Sequence, residues 1–274
     1  SAKWQWQLAA ANFRLTSMRA SARHTQSVIT HNCLNNVQMT TPNIHKSASQ
    51  LPKTVDGDIR EWLESHAMSG NKLFYNELDM QVDLARHLDK TGKYDEVQTE
   101  YFIDKETLPG GENGNVWDRH FYLDIVLRRG DEWFVIEMKY RTCAMEEAGS
   151  ERFGEKVDFP ILKNQGATNY GMYGFWKDVR RIEIVKRRFS GVVGGIALFV
   201  TNDKKYWEGH KRPDAGYANF SMAQGSHGPE MKWTGKCEKE NEKKGHHEFS
   251  LEHTYDIDWS TEGAGGFRYV ILQV

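Results

Sequence analysis

The sequence predicts an α/β fold in which a mixed central β-sheet is flanked by helices. Three observations predict it. The elements run in the order helix, three strand-like segments, long helix, strand, which is the pattern of helices layered on one sheet. The segment from Gly194 to Thr201 is an apolar run of the kind that forms a strand buried on both faces. Aromatic residues make up 12% of the 274, nine of them Trp, and a chain so rich in large apolar side chains packs a core rather than staying disordered.

The elements follow a break in composition. The first 55 residues contain no Asp or Glu, while Lys3, Arg14, Arg19, Arg23, Lys46 and Lys53 are scattered among Ser, Thr, Ala and Asn. Residues 1–54 therefore read as an N-terminal extension, with a basic arm touching phosphates and an organellar transit peptide as the other readings. Residues 55–274 read as the functional domain. Asp56 and Asp58 are placed to cap a short helix through Ile59, Trp62 and Leu63. A longer helix is expected from Asn71 to Lys90, with Gly92 where a helix-ending glycine belongs.

Three strands are expected over Glu96–Ile103, Arg119–Arg128 and Glu132–Tyr140, separated by turns containing Gly, Pro and Asn. A long helix is expected from Ile161 to Phe189. Beyond Asn202 the chain is rich in Gly, Lys, His and Glu and reads as long loops, apart from Tyr255–Trp259 and a closing strand at Phe267–Val274.

Several function classes are set aside by absence. Cys33, Cys143 and Cys237 are few and lack CxxC spacing, which argues against a disulfide framework and points to a reducing, cytoplasmic setting. No apolar run is long enough to span a bilayer. There is no Walker loop, GxSxG elbow or His-Glu-x-x-His. Cys237, His246, His247 and His253 follow no familiar zinc spacing and read as polar loop residues. The net charge of −2 neither requires nor excludes nucleic acid, and the sequence is compatible with a homo-oligomer.

The chemistry concentrates between Asp124 and Lys139. Gly130-Asp131 has the form of a two-residue hairpin turn, which pairs Arg129 with Glu132 and so places Asp124 opposite Glu137. Lys139 shares their face, whereas Phe134, Ile136, Met138, Tyr140, Leu123, Ile125 and Leu127 face the other way as an apolar surface. Two adjacent carboxylates repel unless a cation separates them. Oxygen ligands suit Mg²⁺, with Mn²⁺ able to take its place, held by Asp124 and Glu137 and reaching the Met138 carbonyl. Such a metal activates water and polarises a phosphoryl group, and Lys139 adds a positive charge. The plainer reading is a cross-strand Glu–Lys surface pair.

On the upstream helix, Phe74, Leu78, Val82, Leu84, Ala85 and Leu88 form one broad apolar face that includes Glu77. A carboxylate on that side needs a partner. Either a local donor such as Gln81 donates to it, or it ligates a second metal or orients a water-bound one.

These residues resemble the PD-(D/E)XK nuclease superfamily, over a stretch from Asn71 to about Thr201. The resemblance implies a restriction-endonuclease-like core and a metal-dependent hydrolase of phosphodiester bonds, with DNA as the partner. Carried over by position, Glu77 matches the first-helix Glu, Asp124 the motif Asp, and Glu137 with Lys139 the Glu-x-Lys pair; Leu123 replaces the nominal Pro. Gln165 and Tyr170 are candidates for the Gln or Tyr that members carry on the next helix, although the spacing has one residue too many. Gly166, Ala167, Gly171 and Gly174 on that helix suggest close packing, and Lys177, Arg180, Arg181, Lys186, Arg187 and Arg188 form either a phosphate-binding stripe or a solvated face. Trp207, Tyr217, Phe220 and Trp233 read as loop packing ahead of base stacking. The alternative to an active nuclease is a catalytically silent nuclease fold that binds nucleic acid or a protein partner.

Overall fold

The structure, a computed structural model, describes residues 48–104, 107–108, 121–145, 150–157, 161–209 and 215–274. The readings made of residues 1–47, and the start of the second strand at Arg119, lie outside them. Chain contacts separate Ser1–Lys46 from a second unit, Ser47–Val274, and the description below concerns that second unit.

The first helix, α1 (Leu51–Ser65), starts inside the expected extension. Pro52 lies in its first turn, where a missing N–H costs nothing, and the Leu51 N–H is satisfied at 3.1 Å by the Ser49 hydroxyl. Asp56 and Asp58 are therefore not caps. Asp56 pairs with Arg60 one turn on, and buried Asp58 accepts from the Tyr94 hydroxyl at 2.7 Å and pairs with Lys93.

The second helix, α2 (Glu77–Lys90), begins at Glu77 rather than at Asn71. The Asn76 side chain accepts from the Asp79 N–H at 2.8 Å and fixes that start. Its buried residues are Met80, Gln81, Leu84, Ala85 and Leu88, while Leu78 and Val82 are exposed. The expected apolar face was thus too broad, because α2 is covered along one flank only. Gly92 follows with φ 64°, as a helix-ending glycine does.

The sheet strands are β1 (Glu96–Ile103), β2 (Phe121–Arg129), β3 (Glu132–Arg141), β6 (Val192–Thr201) and β11 (Arg268–Gln273), in the spatial order β1-β2-β3-β6-β11. Between β3 and β6 lie the short pair β4 (Ser150–Arg152) and β5 (Glu155–Val157), then α3 (Thr168–Arg188). The β3–β6 pair is parallel, with α3 in the crossover that a parallel pair requires; the other neighbours are antiparallel. The chain is thus α/β with a mixed five-stranded sheet.

The helix α3 starts seven residues later than Ile161 because Gly166 and Ala167 have φ 40° and 48°. Left-handed residues cannot continue a right-handed helix upstream. Gln165 consequently precedes the helix, and its N–H donates to the Thr142 carbonyl at 2.9 Å.

The two faces of the sheet carry separate cores. Leu51, Trp62, Leu84 and Leu88 of α1 and α2 pack on Ile125, Leu127, Phe134, Ile136, Met138 and Tyr140. On the other face, Phe175, Trp176, Val179 and Ile182 of α3 pack on Val126, Val135, Ala197 and Phe199. Gly195 permits this approach, since a Cβ there would stand 2.3 Å from Ile182.

The segment expected as long loops instead forms a cap over α3. It contains α4 (Lys236–Lys243) and short strands β7 (Gly225–His227), β8 (Glu230–Met231) and β9 (Phe249–Ser250), and β10 (Tyr255–Ile257) falls in the stretch that was set apart from those loops. Phe220, Met231 and Trp233 are buried in it, and the Trp176 indole donates to the Phe220 and Ser221 carbonyls. No helix among the described residues is long and apolar enough to cross a membrane.

Candidate active site

The site begins as a break in the β2–β3 ladder. The hairpin register is the one the turn dictates, from Arg129 with Glu132 to Ile125 with Ile136. Pairing stops there, one position before Asp124 would meet Glu137. At the same level β1 and β2 are disturbed together, with Glu100 at φ 51° and no Glu100–Asp124 pair between Thr99–Ile125 and Tyr101–Leu123. Beyond the disturbance the side chains exchange faces. Leu123 and Phe121 join the α3 core although Ile125 and Leu127 belong to the other, which corrects the expectation that Leu123 shares their face.

Gln81 of α2 holds the kink. Its amide donates to the Asp124 carbonyl at 2.7 Å and to the Glu100 carboxylate at 2.9 Å, so it serves Asp124 rather than Glu77. With the ladder open, two β3 amides find carboxylates. The Met138 N–H donates to Asp124 Oδ2 at 2.7 Å, and the Tyr140 N–H donates to Glu77 Oε2 at 2.9 Å. Glu77 is the first residue of α2, so its side chain reaches β3 from the helix's N-terminal end.

Glu137 and Lys139 project toward α3, where Asp178 and Arg181 meet them. Lys139 Nζ lies 2.8 Å from Asp178 Oδ2, 3.7 Å from Glu77 Oε1 and 3.1 Å from the Met138 carbonyl. A Cβ on Gly174 would meet the Lys139 stem at 3.7 Å, an ordinary van der Waals contact, so α3 runs directly alongside that side chain. Arg181 Nη1 lies 3.3 Å from Glu137 Oε1 and 3.2 Å from Asp178 Oδ1. Its guanidinium also donates to the Tyr122 carbonyl at 3.1 Å and sits 4.3 Å from the Phe121 ring centroid.

Glu137 is 0% exposed, and neither of its oxygens has a hydrogen-bond partner among the described residues. Burial pushes its carboxyl well above the ordinary range, and Asp124 and Asp178 add to that against the opposing pull of Arg181. Burial also raises the Asp124 carboxyl. Burial alone would depress the Lys139 ammonium, but Asp178, Glu77, Asp124 and Glu137 outweigh it and hold the charge. With every group ionised, Glu77, Asp124, Glu137 and Asp178 set four negative charges against the two positive charges of Lys139 and Arg181. The deficit equals one divalent cation.

The donor set therefore fits a hard dication. No three His, Cys, Asp or Glu side chains among the described residues converge as a ready metal group. Asp124, Glu137 and the Met138 carbonyl would hold the ion with waters completing its shell, as Mg²⁺ tolerates. Glu77 is engaged with Tyr140 and Lys139, and so orients the lysine more directly than it approaches a metal.

Tyr170 and much of the basic stripe are engaged elsewhere. Gln165 Oε1 is buried without a partner among the described residues. Tyr170 turns to the C-terminal cap, meeting Lys244 at 3.0 Å and the His246 ring. Much of the basic stripe is consumed internally: Arg180 and Arg187 pair with Glu252, and Arg188 donates to the Thr107 carbonyl. Trp207 meets Trp259 edge-on and Tyr217 packs at the core, as do buried Phe220 and Trp233.

Sequence reasoning missed Asp178 and gave Arg181 only a surface role. Both sit on the side of α3 that meets the sheet, Asp178 among its buried residues. Comparison with protein-family models, with curated proteins and with solved structures returns no match, so the reading of this site rests on its own geometry.

Proposed function

We propose that this chain is a Mg²⁺-dependent hydrolase of phosphodiester bonds in DNA, with a restriction-endonuclease-like core. The observation that carries the reading is the fully buried Glu137 carboxyl, without a hydrogen bond among the described residues, near Asp124 in a cluster that is short of two positive charges when every group is ionised. A dication held there would lower the pKa of a coordinated water, so that it attacks phosphorus as the deprotonated nucleophile, and would polarise the phosphoryl oxygen. Asp124 is fixed for its part by the Met138 amide on its carboxylate and by Gln81 on its carbonyl. Lys139, held by Asp178 and Glu77, presents a permanent ammonium to the negative charge that grows on the phosphoryl oxygens. The apolar cores on both sides exclude bulk water, which strengthens these interactions.

The test is cleavage of single-stranded, duplex and branched DNA, with RNA as competitor, in Mg²⁺ or Mn²⁺. Activity should vanish in EDTA and fall at least about 100-fold in Asp124→Ala and Lys139→Ala. Activity that survives both substitutions sinks the reading. A second reading has one observation in its favour: Arg181 and Asp178 already neutralise part of Glu137 and Lys139. A silent nuclease fold that only binds nucleic acid would show DNA binding that neither EDTA nor Asp124→Ala alters.

A further inference from the structure

Arg181 is held more firmly than a surface arginine needs. Its guanidinium is fixed on four sides, by the Glu137 carboxylate at 3.3 Å, the Asp178 carboxylate at 3.2 Å, the Tyr122 carbonyl at 3.1 Å and the Phe121 ring at 4.3 Å. Planar geometry suits the job, since one guanidinium can serve two carboxylates and a carbonyl while lying on a ring. In two-metal phosphodiesterases a shared carboxylate lies between cations about 3.5–4 Å apart. Here Glu137 lies near enough to Asp124 to feel its charge, and the guanidinium of Arg181 stands 3.3 Å from its Oε1, as a second cation on a shared carboxylate would.

We propose that Arg181 is the built-in second cation of this centre, so that the site takes one divalent ion and excludes another. The proposal rests on the metal-dependent reading of Asp124 and Glu137. It follows from position as well as from charge. Glu137 and Asp178 are the two carboxylates that a second dication could share on the α3 side, and Arg181 Nη1 occupies the place between them, 3.3 Å from one and 3.2 Å from the other. A second dication would also add two positive charges to a cluster that one dication already neutralises. A fixed guanidinium does part of the second metal's work at any metal concentration, because it withdraws charge from Glu137.

The prediction separates Arg181 as a positioned cation from Arg181 as mere packing. Mn²⁺ bound to the full chain is counted by equilibrium dialysis and by its electron paramagnetic resonance signal. Wild type should bind about one ion per chain, with no second ion at tenfold higher free Mn²⁺. Arg181→Met keeps the stem but removes the positive charge between Glu137 and Asp178, so it should bind about two. Arg181→Lys keeps the charge and should stay at about one.

If Arg181→Met does not fold in EDTA, added Mn²⁺ should restore its near-ultraviolet circular dichroism with two ions bound. Two ions in wild type, or one in a folded Arg181→Met, overturns the proposal; so does an Arg181→Met that stays unfolded with Mn²⁺. Wild type that binds none refutes the underlying metal reading instead, and Asp124→Ala run alongside identifies which ion is lost.

Discussion

Replacing Glu137 with Gln should make the metal-free protein more stable, by an amount that grows with pH. Glu137 is fully buried, has no hydrogen bond among the described residues, and has its carboxyl pushed above its ordinary value of 4.5. Above about pH 4.5 the unfolded chain releases this proton while the folded chain keeps it. The unfolded state then binds fewer protons, and stability falls as pH rises. The slope is about 1.4 kcal/mol per pH unit and ends where the folded carboxyl itself ionises. A glutamine amide does not titrate, so the advantage of Glu137→Gln should widen at that rate from about pH 5 and then level off. Urea denaturation followed by Trp fluorescence in EDTA, between about pH 5 and pH 8, measures it. Saturating Mn²⁺ should reverse the order, because an ion that binds only the folded state stabilises the wild type alone. A stability difference that is flat with pH, or that favours the wild type as pH rises in EDTA, would show that Glu137 is not held protonated by burial.

Two further predictions probe the supports of the site. Asp178→Ala leaves Lys139 and Arg181 without their shared partner, and should cost about 3–5 kcal/mol in denaturant melts; a loss below about 1 kcal/mol would mean that the network is solvated. Gln81→Met strips the donor from the Asp124 carbonyl and should cost about 1–3 kcal/mol. It should also weaken Mn²⁺ binding about tenfold or more by loosening the kink, and unchanged affinity in a titration would remove Gln81 from the account.

The legible parts of the fold were those with local causes. The Gly130-Asp131 turn dictates the hairpin register as far as Ile125 and Ile136, and the alternation of Phe134, Ile136, Met138 and Tyr140 marks one core face. Non-local causes were hidden. The kink at Asp124 depends on Gln81 from α2 and on Glu100 in a left-handed conformation, and no pattern within β2 announces either. The start of α3 was misplaced because periodicity ran through Ala167, whose positive φ reflects its surroundings more than its own preference. The C-terminal cap looked like loops because its aromatic residues are spaced irregularly and bury themselves against α3.

In the candidate site, Glu77 was singled out as a charge within an apolar helix face, and Asp124, Glu137 and Lys139 as charges that the hairpin register places on one strand face. Asp178 bears the same mark on α3, lying on a helical projection between Ile182 and Val185, and the argument that singled out Glu77 would have found it. Arg181 was harder to read, since a basic residue near Arg180, Lys186 and Arg187 suggests a solvated stripe. Only the crossing of α3 over β3 turns it inward.

The proposed chemistry stands or falls on a divalent cation held by Asp124 and Glu137. An anomalous difference map from a crystal soaked in Mn²⁺ would reveal that ion without recourse to activity. A single strong peak is expected about 2.1 Å from oxygens of Asp124, Glu137 and the Met138 carbonyl, with Arg181 still beside Glu137. A map with no peak there at millimolar Mn²⁺, or with the ion bound only elsewhere, would contradict it.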